Sequence, residues 1–212
     1  MTAWLQRVGM RAVAALKALL PVAIAALAWP AAADPQLARA EEIVQAKCFI
    51  CHGMDGESSS PVFPRLTGQN AAYVARQLAD YQSGKRVSSA MQPMVADLTK
   101  EDFVALGRYF ATRPTHRHEV EDKALAQVGA FIYERGNPYS SVASCASCHG
   151  RNGHGTDTLP RLAGQHAQYT EKQLREFNSR ARTNDNAIMH TIASKLTELE
   201  IKAVAAYISG MD

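Results

Sequence analysis

The sequence has no cysteine outside two short motifs. These are Cys48-Phe-Ile-Cys51-His52 and Cys145-Ala-Ser-Cys148-His149, which together hold all four cysteines. Strand-like alternation of apolar and polar residues is also absent, as are a Ser/His/Asp set, a P-loop and a dinucleotide-binding fingerprint. These absences argue against a β protein, a triad hydrolase and a nucleotide-dependent enzyme.

The chain also lacks an apolar run of membrane-spanning length near its start. Residues 18–28 are apolar except for Pro21 and are followed by Ala31–Ala33. Three basic residues and no acidic ones precede or adjoin this run: Arg7, Arg11 and Lys17. A membrane span needs about 20 residues, so we predict that residues 1–33 are a cleaved signal peptide. An uncleaved membrane anchor is the alternative.

The formal net charge of the chain is zero once residues 1–33 are left out. The full sequence has 23 basic and 20 acidic residues, a formal net charge of +3. Three of the basic residues and none of the acidic ones lie in residues 1–33, which leaves 20 of each sign in the remainder. The positive excess belongs to the leader, so the sequence gives no support to nucleic-acid binding.

Each C-x-x-C-H motif is typical of covalent attachment of a c-type haem. The two thiols add to the haem vinyl groups, and the adjacent histidine, His52 or His149, becomes the proximal iron ligand. Zinc ribbons separate their cysteine pairs by about 15–20 residues, whereas 93 residues lie between Cys51 and Cys145. A redox dithiol would explain the cysteines but not the histidine after each pair. We therefore predict two covalently bound haem c groups.

The two motifs belong to a longer internal repeat. Segment 63–69, FPRLTGQ, returns as segment 159–165, LPRLAGQ. Single residues match at an offset of 96 to 98: Tyr73 and Tyr169, Gln77 and Gln173, Leu78 and Leu174, Met91 and Met189, Leu98 and Leu196, and Tyr109 and Tyr207. Two copies at this period indicate two domains and not a solenoid. Each copy is small for an independent core, and a covalently held haem would add the missing apolar mass.

The periodicity within each copy is helical. Thr99 with Asp102, and Thr197 with Glu200, predict capping boxes at the start of a terminal helix. Apolar residues then recur at helical spacing in both: Phe103, Leu106, Gly107 and Phe110, and Ile201, Val204, Ala205 and Ile208. Middle helices are predicted near Ala71–Gln82 and Ala167–Asn178, and Leu125, Val128, Gly129 and Ile132 predict the opening helix of the second copy. The sequence thus predicts an all-α protein.

With these residues in place, each half resembles a class I cytochrome c domain, and the whole resembles the dihaem cytochrome c4 family of bacteria. The resemblance runs from about Leu37 to Gly210 and is carried by the tandem C-x-x-C-H motifs, the P-R-L-x-G-Q segments and a methionine before each capped helix. It implies two tandem class I cytochrome c domains, each wrapped around a covalently attached haem. We predict a first domain at 34–113, a linker at 114–121 and a second domain at 122–212.

The resemblance also implies a methionine sulfur as the second axial ligand of each iron. Met91 and Met189 each lie seven residues before the leucine that precedes a capping threonine, so we predict them as the ligands. Met94 is the alternative in the first copy, although Ile192 stands at its place in the second. His190 is the alternative to Met189.

Two further expectations follow from the family pattern. The carbonyl groups of Pro64 and Pro160 should accept the Nδ1–H of the proximal histidines. A glycine usually stands where the first and last helices cross; Gly129 fills that place in the second copy, but Glu41 stands there in the first. The remaining histidines outside these patterns are interpreted as surface or linker residues: His116, His118, His154 and His166.

The function that the resemblance implies is periplasmic electron transfer without catalysis. The donor would be a protein such as a quinol:cytochrome c reductase and the acceptor one such as a terminal oxidase. Redox proteins of the respiratory chain would then be its partners, and peripheral association with the inner membrane stays open. The short linker further predicts that the two copies dock through matching patches about a pseudo-twofold axis, with their haems face to face.

Three alternatives remain at this point. The chain could be the haem subunit of a flavocytochrome c sulfide dehydrogenase. It could also be a dihaem redox enzyme, such as a peroxidase or a thiosulfate dehydrogenase, or a gas-binding sensor. The enzyme and the sensor need an iron with an open position, whereas a methionine is available for each iron here.

Overall fold

The secondary-structure elements of the described part of the chain are all helices. The structure, a computed structural model, describes residues 34–212, and the predicted signal peptide lies outside that range. Ten α-helices occur there: α1 Pro35–Ile43, α2 Phe49–His52, α3 Ala71–Gln82, α4 Met91–Val95, α5 Lys100–Ala111, α6 Lys123–Arg135, α7 Ala146–His149, α8 Ala167–Asn178, α9 Ile188–Ala193 and α10 Glu198–Ser209. A π-helical turn, Val44–Cys48, joins α1 to α2. The predicted all-α class is confirmed.

The terminal helix of each copy begins at a capping box, as predicted. The Thr99 hydroxyl accepts from the backbone N–H of Asp102, and the Asp102 carboxylate accepts from the backbone N–H of Thr99. Thr197 and Glu200 make the same reciprocal pair. Because two of the N–H groups that a helix start leaves unpaired are satisfied here, α5 and α10 begin at equivalent places. The bounds of the middle helices α3 and α8 also match the prediction.

One apolar core lies in each copy, and the terminal helix supplies much of it. All eight residues predicted for the inner faces of α5 and α10 are buried. In α6, however, Val128 is exposed, and Ala126 and Tyr133 are buried beside Gly129 and Ile132. Burying one large apolar side chain contributes about 1.5–3 kcal/mol, so these faces are the main apolar contribution of each terminal helix.

The closest helix approach differs between the copies. A β-carbon on Gly129 of α6 would overlap the backbone carbonyl of Ala203 in α10, so the first and last helices of the second copy are in backbone contact there. In the first copy Glu41 is exposed and Ala40 is buried against the core. The close approach is instead between the last and middle helices, because a β-carbon on Gly107 of α5 would overlap the Ala71 carbonyl in α3.

The segment between α5 and α6 packs against both copies. Residues 112–122 contain no helix. The hydroxyl of Thr67 donates to the Pro114 carbonyl over 2.6 Å, and the side chain of Val120 fills the space beside Gly210. Across residues 34–212, no helix is both long and apolar enough to cross a membrane.

Candidate functional site

A short helix and a glycine turn present each predicted proximal histidine. His52 and His149 are the last residues of α2 and α7. Gly53 and Gly150 follow with φ of 75° and 80°, and their N–H groups donate to the carbonyls of Phe49 and Ala146. A residue with a side chain rarely adopts such a φ. The glycine therefore ends the helix and turns the chain immediately after the histidine.

The proline segment then folds back over the histidine. The N–H of Leu66 donates to the Gly56 carbonyl over 2.7 Å, and the N–H of Leu162 donates to the Gly153 carbonyl over 2.6 Å. This return places the Pro64 carbonyl 2.9 Å from His52 Nδ1, and the Pro160 carbonyl 3.2 Å from His149 Nδ1. The arrangement is the one expected from the family pattern.

The contact with proline fixes the tautomer of each ring. A carbonyl can only accept, so Nδ1 carries the hydrogen and Nε2 keeps a free lone pair. Both rings are buried. Burial lowers the pKa of His52 and of His149, and the proline carbonyl offsets this only in part. Each ring is therefore held neutral with Nε2 available to a metal.

The four cysteines of the two motifs are free thiols. Cys48 and Cys145 pack at the edges of the two apolar cores, and none of the four cysteines is in a disulfide. Burial raises the pKa of Cys48 and of Cys145 to about 11. Within residues 34–212, no three His, Cys, Asp or Glu side chains gather as a metal-binding group.

The methionines differ in their surroundings. Met91, the first residue of α4, packs against the core that includes Cys48, and Met189 of α9 packs against the core that includes Cys145. Met94 is 39% exposed. The ring of His190 is turned to the backbone, with Nδ1 3.0 Å from the Phe177 carbonyl.

The P-R-L-x-G-Q segments have a second role that the sequence reasoning missed. The side-chain amide of Gln165 accepts from the N–H of Arg65 and donates to its carbonyl, both over 2.9 Å. Gln69 does the same to Arg161, over 2.7 and 2.8 Å. A glutamine of each copy therefore forms two hydrogen bonds with the backbone of the opposite copy. The residue that it binds there directly follows the proline that contacts the histidine. The matching patches confirm the predicted pseudo-twofold docking of the copies.

Two of the four other histidines take part in this contact. Nε2 of His166 lies 2.8 Å from the Ser58 carbonyl of the opposite copy, so its interpretation as a surface or linker residue is wrong. His118 lies in the segment between α5 and α6, and its ring lies 3.1 Å from the Glu57 carboxylate. His116 and His154 are exposed. The signal that could have distinguished His166 is its place directly after the repeated glutamine.

These residues fit a covalently attached haem in each copy. In each motif two free thiols precede a buried imidazole in the sequence, and a partly buried thioether packs on the core that includes the first of these thiols. Thiols of this spacing form the thioether links, and imidazole and thioether are the ligand types that a haem iron takes in electron-transfer proteins. A bound haem supplies reversible one-electron exchange at its iron.

Comparison with known families covers both copies. The family model for cytochrome c matches residues 133–212, and that for cytochrome c oxidase, cbb3-type, subunit III matches residues 35–110. Cytochrome c4 of Thiocapsa roseopersicina is 37% identical over 186 residues, which cover 86% of this chain and 95% of the relative. A thiosulfate dehydrogenase electron acceptor of Stutzerimonas stutzeri strain A1501 is 36% identical over 169 residues, 77% of this chain and 78% of the relative.

The fold agrees with these relationships. The crystal structure of reduced recombinant cytochrome c4 from Pseudomonas stutzeri matches with a TM-score of 0.79 at 34% identity, over 83% of this chain and 98% of the other. Two haem-binding motifs, two family matches and one related dihaem structure agree over most of residues 34–212. The chain belongs to the cytochrome c4 family, electron-transfer proteins with two tandem class I cytochrome c domains that each carry a covalently bound haem c.

Proposed function

We propose that the protein is exported to the periplasm and carries electrons between redox proteins of the respiratory chain. The donor would be a quinol:cytochrome c reductase or a similar protein, and the acceptor a terminal oxidase. The observation that carries this proposal is the paired arrangement of Pro64 and Arg65 with Pro160 and Arg161. Each proline holds a proximal histidine and each neighbouring arginine backbone is bound by the opposite copy. Two electron sites in such fixed contact suit a carrier.

The proposal includes the iron ligands and the domain limits. His52 with Met91, and His149 with Met189, are the axial pairs, and the thioether links are formed by Cys48 and Cys51, and by Cys145 and Cys148. Packing of Met91 against the first core and the exposure of Met94 favour Met91. The domains are 34–113 and 122–212, joined by the linker 114–121.

The test of this proposal is a set of methionine variants of the purified protein. The oxidised wild type should show the near-red methionine–iron charge-transfer band. Met91→Ala and Met189→Ala should each remove about half of it and lower one midpoint potential, because thioether sulfur favours the ferrous state. Met94→Ala is the matched control and should leave the band intact. Loss of the first domain's share in Met94→Ala would overturn the assignment.

A second candidate has a more specific partner. The similarity to a thiosulfate dehydrogenase electron acceptor favours delivery of electrons by a thiosulfate-oxidising enzyme. In that case the protein is still a carrier, and the enzyme supplies the open iron position. Stopped-flow reduction by a thiosulfate dehydrogenase, compared with reduction by a quinol:cytochrome c reductase, separates the two: the physiological donor is the faster at matched concentrations.

A further inference from the structure

The methionine loop of the second copy contains a β-turn with left-handed backbone. The turn runs from Asp185 to Ile188, and the N–H of Ile188 donates to the Asp185 carbonyl over 3.2 Å. Its two central residues, Asn186 and Ala187, have φ of 53° and 65°, and ψ of Ala187 is 1°. Two successive positive φ values are typical of a type I′ turn. The turn ends where α9 begins, and Met189 is the second residue of α9.

Alanine is a poor residue for the second central position of this turn. A type I′ turn strongly prefers Asn-Gly there, because both central residues need a positive φ. Asparagine tolerates the left-handed conformation through its short polar side chain, whereas the β-carbon of an alanine crowds the following carbonyl oxygen. The sequence of the turn is Asn186-Ala187. The backbone strain is therefore concentrated at Ala187, two residues before the methionine.

Contacts on both sides of the turn hold it in this conformation. Before it, Asn184 Nδ2 donates to the Asp80 carboxylate of the first copy over 2.6 Å. After it, the carboxylate of Asp185 accepts from the backbone N–H of His190 over 2.9 Å. A strained conformation persists only where its surroundings determine it in this way. The fixed points lie at Asn184 and His190, and Met189 lies between them.

The methionine loop of the first copy is built without such a turn. No residue of 85–98 has a positive φ. The N–H of Met91 donates to the Ser88 hydroxyl over 3.2 Å, and the N–H of Gln92 donates to the Ser88 carbonyl over 3.0 Å. Ser89 stands at the place of Ala187, at the same offset of 98 that separates the two methionines. The backbone that presents Met91 is therefore unstrained.

The strained turn lies at the surface, where it can relax without opening the core. Asn186, Ala187 and Ile188 are exposed, and Ile188 is 64% exposed. Ala193, at the other end of α9, is fully buried in the second core. A change of conformation at the turn therefore moves the start of α9, which carries Met189, and leaves its buried end in place.

We propose that Ala187 is a positioning residue that makes Met189 an exchangeable ligand, so that small uncharged nitrogen donors replace its sulfur at the second iron more readily than they replace Met91 at the first. Release of Met189 lets the turn leave the left-handed conformation, and the relieved strain offsets part of the free energy of the iron–sulfur bond. One neutral donor replaces another, so no electron or proton is transferred. The inference rests on the proposed assignment of Met189 to the second haem.

Titration of the oxidised holoprotein with imidazole tests the difference between the copies. The near-red band is followed together with the signals of 13C-labelled methionine methyl groups, which Met91→Ala and Met189→Ala assign. The Met189 signal should be lost at about tenfold lower imidazole concentration, because a left-handed alanine costs roughly as much free energy as a tenfold change in affinity represents. Equal affinities, or earlier loss of the Met91 signal, overturn the proposal.

A glycine substitution isolates the strain as the cause. Ala187→Gly should raise the Kd of the second iron for imidazole about threefold or more, because glycine adopts a positive φ without crowding. Ser89→Gly is the matched control in the first copy. It relieves no strain, so the Kd of the first iron should stay the same or fall. An unchanged Kd in Ala187→Gly, or an equal rise in Ser89→Gly, contradicts the proposal.

The outcomes separate this proposal from the ligand assignment on which it rests. If Met189→Ala leaves the near-red band whole, Met189 is not a ligand, and both the assignment and the proposal fail. If Met189→Ala removes about half of the band while Ala187→Gly binds imidazole as the wild type does, the assignment stands and only the proposal fails. Reversible redox titration of two haems in the wild type supports electron transfer in either case.

Discussion

The two copies share one arrangement of helices but stabilise it at different contacts. In the second copy the first and last helices touch at backbone level, because Gly129 of α6 lies against Ala203 of α10. In the first copy the last helix instead touches the middle helix, where Gly107 of α5 lies against Ala71 of α3. The second copy has Ala205 at the place of Gly107, and the first has Glu41 at the place of Gly129. One close crossing in each copy is compatible with the fold, and it need not be the same one.

The segment that precedes the C-x-x-C-H motif also differs between the two copies. In the first copy α1 continues through the π-helical turn Val44–Cys48 directly into the motif. In the second copy α6 ends at Gly136, and a loop with one backbone pair, Asn137 with Val142, precedes Cys145. Asn137 also donates to Glu200 over 2.7 Å, which ties this loop to the cap of α10. In the second copy, the loop before the motif is thus held to the start of the terminal helix by a hydrogen bond. In the first copy, the motif directly continues the opening helix.

The largest effect is expected from removing one haem. Cys145→Ser with Cys148→Ser should give a one-haem protein in which the second core no longer forms, because the haem is part of that core. Mass spectrometry gives the haem count, and hydrogen exchange of α6 and α10 reports the loss of structure. Cys48→Ser with Cys51→Ser is the mirror variant. Two haems in either variant would contradict the attachment assignment.

The next largest effect concerns the two crossings. Gly129→Ala should destabilise the second copy by at least about 2 kcal/mol, since the new methyl meets a backbone carbonyl that cannot rotate away. Gly107→Ala should have a smaller effect on the first copy, because the overlap there is less severe. Denaturant unfolding followed by hydrogen exchange assigns each loss to a copy.

Ala205→Gly is the control for these crossings. It removes a buried methyl at the second-copy counterpart of Gly107 and should cost about 1 kcal/mol through helix propensity and about 0.8 kcal/mol through the lost apolar burial. If Gly107→Ala loosened α8 and α10 as much as α3 and α5, the contrast between the copies would be wrong.

The smallest effect is expected at the two capping carboxylates. The backbone N–H of Thr99 is the main cause that lowers the pKa of Asp102, and Arg39 lowers it further. For Glu200, burial raises the pKa, but Thr197 and Asn137 outweigh it and the pKa is lowered. A lowered pKa gives stability that is present above the unfolded-state pKa, about 4, and is lost as pH falls through the folded-state value.

Asp102→Asn and Glu200→Gln should therefore each cost about 0.3–1 kcal/mol at neutral pH. The difference from wild type should shrink as pH falls below about 4, in thermal unfolding at a series of pH values. Asp102→Asn should cost more, because Asp102 also pairs with Arg39 at 3.1 Å. Glu101→Gln, in the same helix turn but outside the box, is the control. A difference that stays constant down to pH 2 would argue against the carboxylate as the cause.

Much of each copy could be predicted from local sequence. The capping boxes, the inner faces of α5 and α10, and the middle helices depend on residues a few positions apart, and such patterns are visible in one dimension. The histidine–proline contact was expected from the family resemblance alone. Val128 was misplaced because apolar spacing alone does not say which of two adjacent stripes faces the core.

The contact between the copies could be expected only in outline. Gln69 matches Gln165 in the repeat, and Gln77 matches Gln173. The recurrence of a polar residue does not show which residue it hydrogen-bonds. Gln69 binds Arg161, 92 residues away, and Arg182 binds Gln77, 105 residues away. Such pairings depend on how two finished domains meet, and that geometry has no local signal in the chain. The same holds for Gly107, whose role depends on its contact with Ala71, 36 residues earlier.

The reciprocal grip of Gln69 and Gln165 has a consequence for how the molecule assembles. Because the gripping surface is the same on both copies, it is complementary to itself, as the interface of a homodimer is. The covalent chain therefore behaves as a tethered dimer. A linker of this length holds the two copies at an effective concentration of roughly millimolar. The contact between them therefore stays formed even if its intrinsic affinity is weak. The duplication can thus keep two haem domains in register at dilutions where separate subunits would part.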